Sequence, residues 1–186
     1  MRPIILASQS PRRSQLLQWA EVPFTVIVSN TDEQFPATLN FEEAAIFIAQ
    51  QKTLAVIEKY KPATVVLAAD TIVVCNNVII GKPADRAAAI KSLMQLSEVT
   101  HKVITGVWMQ EKEKSISFAE TTLVTFHSLT KEMIEFYVDK YKPYDKAGAY
   151  AIQEWIGVTG IKSIAGDFYN VMGLPVSRVV QALAQF

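Results

Sequence analysis

The sequence predicts an α/β protein built on a mixed, twisted sheet with flanking helices. Three observations point there. Strand-like and helix-like segments intermix without strict alternation, which fits a mixed sheet better than a regular doubly wound fold. Residues 64–69 (TVVLAA) form a continuous apolar run, the pattern of a strand buried on both faces. Two longer strand patterns, 99–110 and 116–127, meet at Glu111-Lys112-Glu113-Lys114, a charged segment suited to a solvated hairpin tip. The chain has 186 residues, enough for a real core, and shows no repeat or low-complexity linker. Residues 1–186 are therefore expected to form a single domain.

The elements follow in order. Residues 3–8 read as a first strand, and 11–20 as a helix with Leu16, Leu17 and Trp19 towards the core. Ser10 suits its N-cap and Pro11 its first turn. Residues 24–29 (FTVIVS) are strand-like, and 30–40 a polar loop containing Asp32 and Glu33. From Phe41 to Tyr60 apolar residues recur at helical spacing, and Lys61-Pro62 ends the helix. Asp70 closes the apolar run. Residues 71–75 and 78–80 flank Asn76-Asn77, a hairpin signal. Asp85 caps a helix from Arg86 to Leu96, and Thr130 caps another through Lys140. Residues 161–165 are a short strand, and a last helix starts near Pro175.

Composition narrows the function. Eighteen basic residues balance eighteen acidic ones, so the basic excess that duplex nucleic acid demands is absent. Only two histidines occur, His101 and His127, in no metal-ligand spacing, which disfavours a multi-histidine zinc site. The single cysteine, Cys75, lies in the apolar run TIVVC and reads as a buried structural residue. The N-terminus lacks a signal-peptide pattern, and no apolar run approaches the ~20 residues that span a bilayer. A soluble cytoplasmic protein without nucleic-acid or membrane partners is expected.

Four features carry chemistry. In SQSPRR, Arg12 and Arg13 fall in the first helical turn, where the macrodipole disfavours cations by roughly 0.3–1 kcal/mol each. Free helix N–H groups beside two guanidinium groups and the Ser8 and Ser10 hydroxyls suit a phosphate chain. Pairing with surface carboxylates is the alternative. Asp70 ends a buried strand, where a carboxylate is costly unless it meets a cleft or a cation; a turn cap is the alternative. The hairpin after it would return Lys82 of the GKP segment to its side, for catalysis or for a plain ion pair. In DKAGAYAIQ, Asp145 and Lys146 form a second opposite-charge pair. Gln153 there offers the donor and acceptor that complement a pyrimidine edge. Arg12, Arg13, Lys52 and Lys82 could match the charge of a nucleoside triphosphate, with Mg²⁺ sharing it; plain exposure is the alternative for Lys52. Glu33 and Asp70 are carboxylates suited to such a cation. Neither GxxxxGK[ST] nor GxGxxG occurs, so a phosphate site here is neither a P-loop nor a Rossmann site.

LASQSPRRSQLL, AADTIVV with GKP downstream, LSEVTHKVITGV, and YDKAGAYAIQ followed by GDFYNVMGLP resemble the Maf family of nucleotide pyrophosphatases, in the right order along nearly the whole chain. The DKAGAY-x-IQ segment resembles the branch that hydrolyses dTTP and UTP. Ala69 departs from a common glycine, and Gln51-Lys52-Thr53 from the usual Glu-Lys-Ala. The resemblance implies an elongated two-lobed structure with a central cleft, similar to the inosine triphosphate pyrophosphatases. It implies that Asp70 is the catalytic proton acceptor and that Arg12, Thr71 and Gln153 govern substrate specificity. Ser8, Arg13, Lys52 and Lys82 match phosphate-contacting positions, and Ser10 joins them from the turn chemistry. Glu33 and Asp70 match positions near a divalent metal, Mg²⁺ or Mn²⁺. The expected reaction takes dTTP or UTP to the monophosphate and pyrophosphate, clearing noncanonical nucleotides; a homodimer is a further expectation. The rival expectation is a nucleotide-sensing regulator of cell division that binds without turnover.

Overall fold

The computed structural model describes residues 2–28 and 31–186. Ser29 and Asn30, where the predicted second strand ends and the polar loop begins, lie outside the described residues. In chain order the elements are β1 (Ile4–Leu6), α1 (Pro11–Trp19), β2 (Phe24–Val26), α2 (Phe41–Tyr60), β3 (Val66–Cys75), β4 (Val78–Ile80), α3 (Arg86–Leu96), β5 (Thr100–Glu111), β6 (Lys114–Phe126), α4 (Lys131–Tyr141), a 3₁₀ turn (Ala147–Ala149), α5 (Trp155–Gly160), β7 (Ile161–Ala165), α6 (Phe168–Met172) and α7 (Val176–Leu183).

The sheet runs β2-β1-β3-β5-β6-β7, with β4 paired to β3. It is mixed, as predicted: β1 pairs in parallel with β2 and β3, while β3/β4 and β6/β7 are antiparallel. The Asn76-Asn77 hairpin forms with both residues at positive φ, 50° and 60°, as a primed two-residue turn requires. The Asp85 and Thr130 caps form as predicted, and α2 gains a further one. Asn40 and Glu43 make a reciprocal capping box on α2, Asp85 Oδ1 accepts from Ala88 N at 2.8 Å, and Thr130 Oγ1 accepts from Met133 N at 3.3 Å.

The chain divides into two compact units: Met1–Thr71 with Thr105–Glu120 and Gly173–Phe186, and Ile72–Ile104 with Thr121–Met172. In the first, Ile5, Ala7, Val56, Val66 and Ala68 form a buried cluster that α2 closes over β1 and β3. Gly106 allows the closest approach there. A Cβ on it would stand 2.2 Å from the carbonyl carbon of Ala45, so no larger residue fits between β5 and α2. The second unit buries Leu93, Leu96, Val103, Val124, Phe126, Ile134, Tyr137 and Ile156. Cys75 is buried as predicted, and burial raises its thiol pKa.

Three expectations need correction. Asp70 is not at a strand end: β3 continues through it to Cys75. A single carboxylate within an otherwise buried strand had been read as a terminus. Trp19 is 59% exposed and not in the core. The buried face of α1 is Arg13, Leu16 and Leu17, an i, i+3, i+4 stripe that Trp19 does not share. Ser10 holds the N-cap position of α1, but its side chain makes no capping hydrogen bond. Among the described residues no helix is long and apolar enough to cross a membrane.

Candidate active site

In the first unit the turn between β1 and α1, the middle of β3, the loop before α2 and one face of α2 bring Ser8, Ser10, Arg13, Glu33, Lys52, Asp70 and Thr71 together. Asp70 is buried at 8% exposure. Lys52 reaches it from α2: its Nζ lies 2.6 Å from Asp70 Oδ1 and 2.9 Å from Glu33 Oε1. The Lys52 side chain is only 13% exposed, so plain surface exposure does not describe it. One ammonium joins both carboxylates expected near a metal.

Arg13 is buried, and its guanidinium is engaged by protein atoms. Nε donates to Gly173 O at 2.8 Å, Nη1 to Ser8 Oγ at 3.2 Å and Nη2 to Thr71 Oγ1 at 3.1 Å. Burial lowers its pKa; Asp70 opposes that shift, Arg12 adds to it and Glu33 opposes it. Arg12 is half-buried. The two arginines that open α1 are thus unlike in environment. Gly173 sits at φ +115°, a conformation that glycine adopts freely, and this directs its carbonyl to Arg13.

Hydrogen-bond accounting assigns roles to the hydroxyls. Ser8 Oγ accepts from Ser10 N at 3.1 Å and from Arg13 Nη1. Both lone pairs are used, which leaves the Ser8 proton to donate. Thr71 Oγ1 takes the Arg13 Nη2 donor and also meets Thr105 Oγ1 at 2.9 Å. Thr105 and Gly173 were not legible as site residues in the sequence, although both lie in motif segments, KVITGV and MGLP. Neither residue type announces a role without its neighbours in space.

The second unit holds Lys82 and Gln153, both exposed. The hairpin that precedes Lys82 forms in the register Val73↔Ile80. The segment carrying Gln153 is held on both sides. Tyr150 OH meets His101 Nε2 at 2.7 Å, and Ala151 N donates to Tyr137 OH at 3.2 Å. Tyr137 OH in turn donates to Glu154 Oε2. Lys146 Nζ lies 2.8 Å from Asp145 Oδ1, the pair expected from sequence, and 3.6 Å from Glu154 Oε1. Gly148 at φ +71° kinks the backbone within the 3₁₀ segment.

Among the described residues no group of three or more His, Cys, Asp or Glu side chains could hold a metal ion. Glu33 and Asp70, gathered on one ammonium, instead offer two oxygen donors. That set fits Mg²⁺ or Mn²⁺ as such ions bind in nucleotide enzymes, by one or two carboxylates with substrate phosphates and water completing the shell.

The chain is 45% identical to a dTTP/UTP pyrophosphatase of Parabacteroides distasonis, with 98% of this chain and 95% of that one covered. It is 47% identical to a dTTP/UTP pyrophosphatase of Bacillus mycoides, with 100% and 96% covered. A solved structure of a HAM1 protein from Coxiella burnetii covers 100% of both chains at a TM-score of 0.52 and 13% identity, a likeness of fold alone. A family model described as Maf-like protein matches residues 3–186, and the chain belongs to that family.

Proposed function

We propose that this chain is a nucleoside triphosphate pyrophosphatase that converts dTTP and UTP to the monophosphate and pyrophosphate. The observation that carries the reading is the buried Asp70 carboxylate tied to Lys52, in a chain 45% identical nearly end to end to a dTTP/UTP pyrophosphatase. A carboxylate held in a buried strand by a lysine is costly to build and is suited to charge-driven phosphoryl chemistry.

In this reading water attacks the α-phosphorus in line and pyrophosphate leaves. Asp70 Oδ1 is engaged by Lys52, and the Asp70 carboxylate takes the proton of the attacking water or holds the metal, because a coordinated carboxylate is the weaker base. The Ser8 proton, left over by its two incoming donors, goes to a phosphate oxygen. Arg12, Lys52 and Lys82 offset the charge of the triphosphate, with the Ser10 segment and the start of α1 beside them. Arg13 supports Ser8 and Thr71 and adds its charge. Arg12, Thr71 and Gln153 select the base. Glu33 and Asp70 would hold Mg²⁺ or Mn²⁺, which when bound would neutralise phosphate charge and acidify the attacking water. Clearance of noncanonical pyrimidine nucleotides from a cytoplasmic pool, by a homodimer, completes the proposal.

The test is pyrophosphate release from dTTP, UTP, CTP and GTP by purified protein with Mg²⁺ or Mn²⁺. Release led by dTTP and UTP supports the reading. Tight dTTP binding without release would return the regulator reading.

A further inference from the structure

We propose that Thr105 is a positioning residue that fixes whether Thr71 offers a hydrogen-bond donor or an acceptor, and so sharpens the choice between uracil or thymine and cytosine. The proposal rests on the reading of Thr71 as a base-selecting residue. It adds a residue that touches no substrate.

A threonine hydroxyl has one proton and two lone pairs. At Thr71 one lone pair is taken by Arg13 Nη2 at 3.1 Å, because a guanidinium can only donate. The bond to Thr105 Oγ1 at 2.9 Å takes a second position. If Thr105 donates, both Thr71 lone pairs are filled and Thr71 has only its proton to offer. If Thr105 accepts, Thr71 has given up its proton and keeps one lone pair. Either way a single polarity remains for a ligand, and the Thr105 proton decides which.

The surroundings suit Thr105 to this task. It is completely buried and so meets no ligand directly, while Thr71 beside it is half-buried. The β-branch restricts its χ1. The next residue, Gly106, is pressed against the Ala45 backbone, where a Cβ would stand 2.2 Å from the carbonyl carbon, so β5 has no room to shift. β3 and β5 are adjacent in the sheet, which fixes the two hydroxyls relative to each other.

The consequence is chemical. Uracil and thymine present an acceptor at C4 and a donor at N3; cytosine presents the reverse. A Thr71 held to one polarity tells these edges apart. A Thr71 freed from Thr105 can rotate to suit either.

The experiment measures kcat/KM for UTP and CTP in the full-length protein, as wild type and as Thr105→Val, Thr105→Ser and Thr71→Val. Thr105→Val keeps the shape and removes the hydroxyl. It is expected to lower the UTP/CTP ratio by about tenfold, the worth of one hydrogen bond of ordinary to charge-assisted strength. Thr105→Ser should restore the ratio, which a mere packing role would not require. If Thr105→Val does not fold, Thr105→Cys, similar in volume and a far weaker donor, gives the same comparison. A wild-type ratio in Thr105→Val alongside a changed ratio in Thr71→Val overturns the proposal and leaves Thr71 as a base-selecting residue. An unchanged ratio in both overturns that reading of Thr71 and the proposal with it.

Discussion

Lys52 Nζ lies 2.6 Å from Asp70 Oδ1, and the same nitrogen lies 2.9 Å from Glu33 Oε1. The Asp70 and Lys52 side chains are both nearly buried, so their attraction is less screened than that of a surface pair. The ammonium lowers the mutual repulsion of the buried Asp70 carboxylate and the exposed Glu33 carboxylate. It also occupies the position of charge that a divalent ion would take, and it stands next to the carboxylate proposed to receive the proton.

Asp70→Asn tests the chemical role of that carboxylate. Asparagine keeps the shape and an oxygen for Lys52, so the variant should fold with a thermal midpoint close to wild type. Pyrophosphate release should fall by roughly 10²–10⁴-fold, the range for loss of a general base. A folded variant with near-normal turnover would remove Asp70 from the mechanism.

Lys52→Met separates the lysine's two tasks. Removing the ammonium leaves Asp70 and Glu33 without the cation that joins them. Binding of Mn²⁺ in the absence of nucleotide should then tighten, by about tenfold or more, because a like charge beside the donors is lost. Glu33→Gln in the same background should reverse the gain. Turnover should drop in spite of tighter ion binding, because the charge that meets the triphosphate is gone. Titration by calorimetry checks the first point and pyrophosphate release the second. Unchanged Mn²⁺ affinity would show that the two carboxylates are not metal donors.

What the sequence disclosed follows from the range of each signal. Caps and hairpins were legible because their causes are local: Asp85, Thr130 and the Asn76-Asn77 pair act within four residues. The apolar run before Asp70 disclosed a buried strand, but a carboxylate inside it looked like an end, since the compensating Lys52 sits eighteen residues away on another element. Trp19 was misplaced for a related reason. Apolar periodicity alone could not show that a buried arginine, Arg13, completes the inward stripe with Leu16 and Leu17. The short helices α5 and α6, six and five residues, carry too few turns to show a period. The candidate site residues came from family motifs, whereas their hydrogen-bond partners Thr105 and Gly173 became visible only in three dimensions.

Gly173→Ala probes the support of Arg13. The residue lies at φ +115°, where a side chain is strained, and its carbonyl accepts from Arg13 Nε at 2.8 Å. Alanine should cost about 1–3 kcal/mol of stability, the usual range for a strained backbone position. The carbonyl must shift to relieve the strain, so turnover should fall more than the loss of folded protein explains. Urea denaturation gives the first quantity, and kcat measured well below the unfolding midpoint gives the second. A variant as stable and as active as wild type would mean that the Arg13–Gly173 contact is incidental.

His101 sets a pH limit on the second unit. Its ring is 1% exposed, stacks on Phe126 at 5.6 Å between centroids, and meets Tyr150 OH at 2.7 Å. Burial lowers its pKa to about 4 from the ordinary 6.5, because the charged imidazolium would lose its hydration. In the unfolded chain the ring takes up a proton as pH falls through 6.5, while the folded protein leaves it neutral until about 4. Between those values the unfolded state binds more protons, so acidification weakens the fold and raising the pH restores it. Above 6.5 the group contributes no pH dependence, and below about 4 its contribution levels off. The full shift corresponds to roughly 3 kcal/mol. His101→Gln keeps a polar partner for Tyr150 and cannot titrate. Thermal midpoints of wild type and variant, measured from pH 7 to 4, should therefore diverge in slope within that window, since every other titrating group is common to both. Parallel curves would mean that His101 is protonated as readily in the folded protein as in the unfolded chain, and that the stacked aromatic cluster does not hold it neutral.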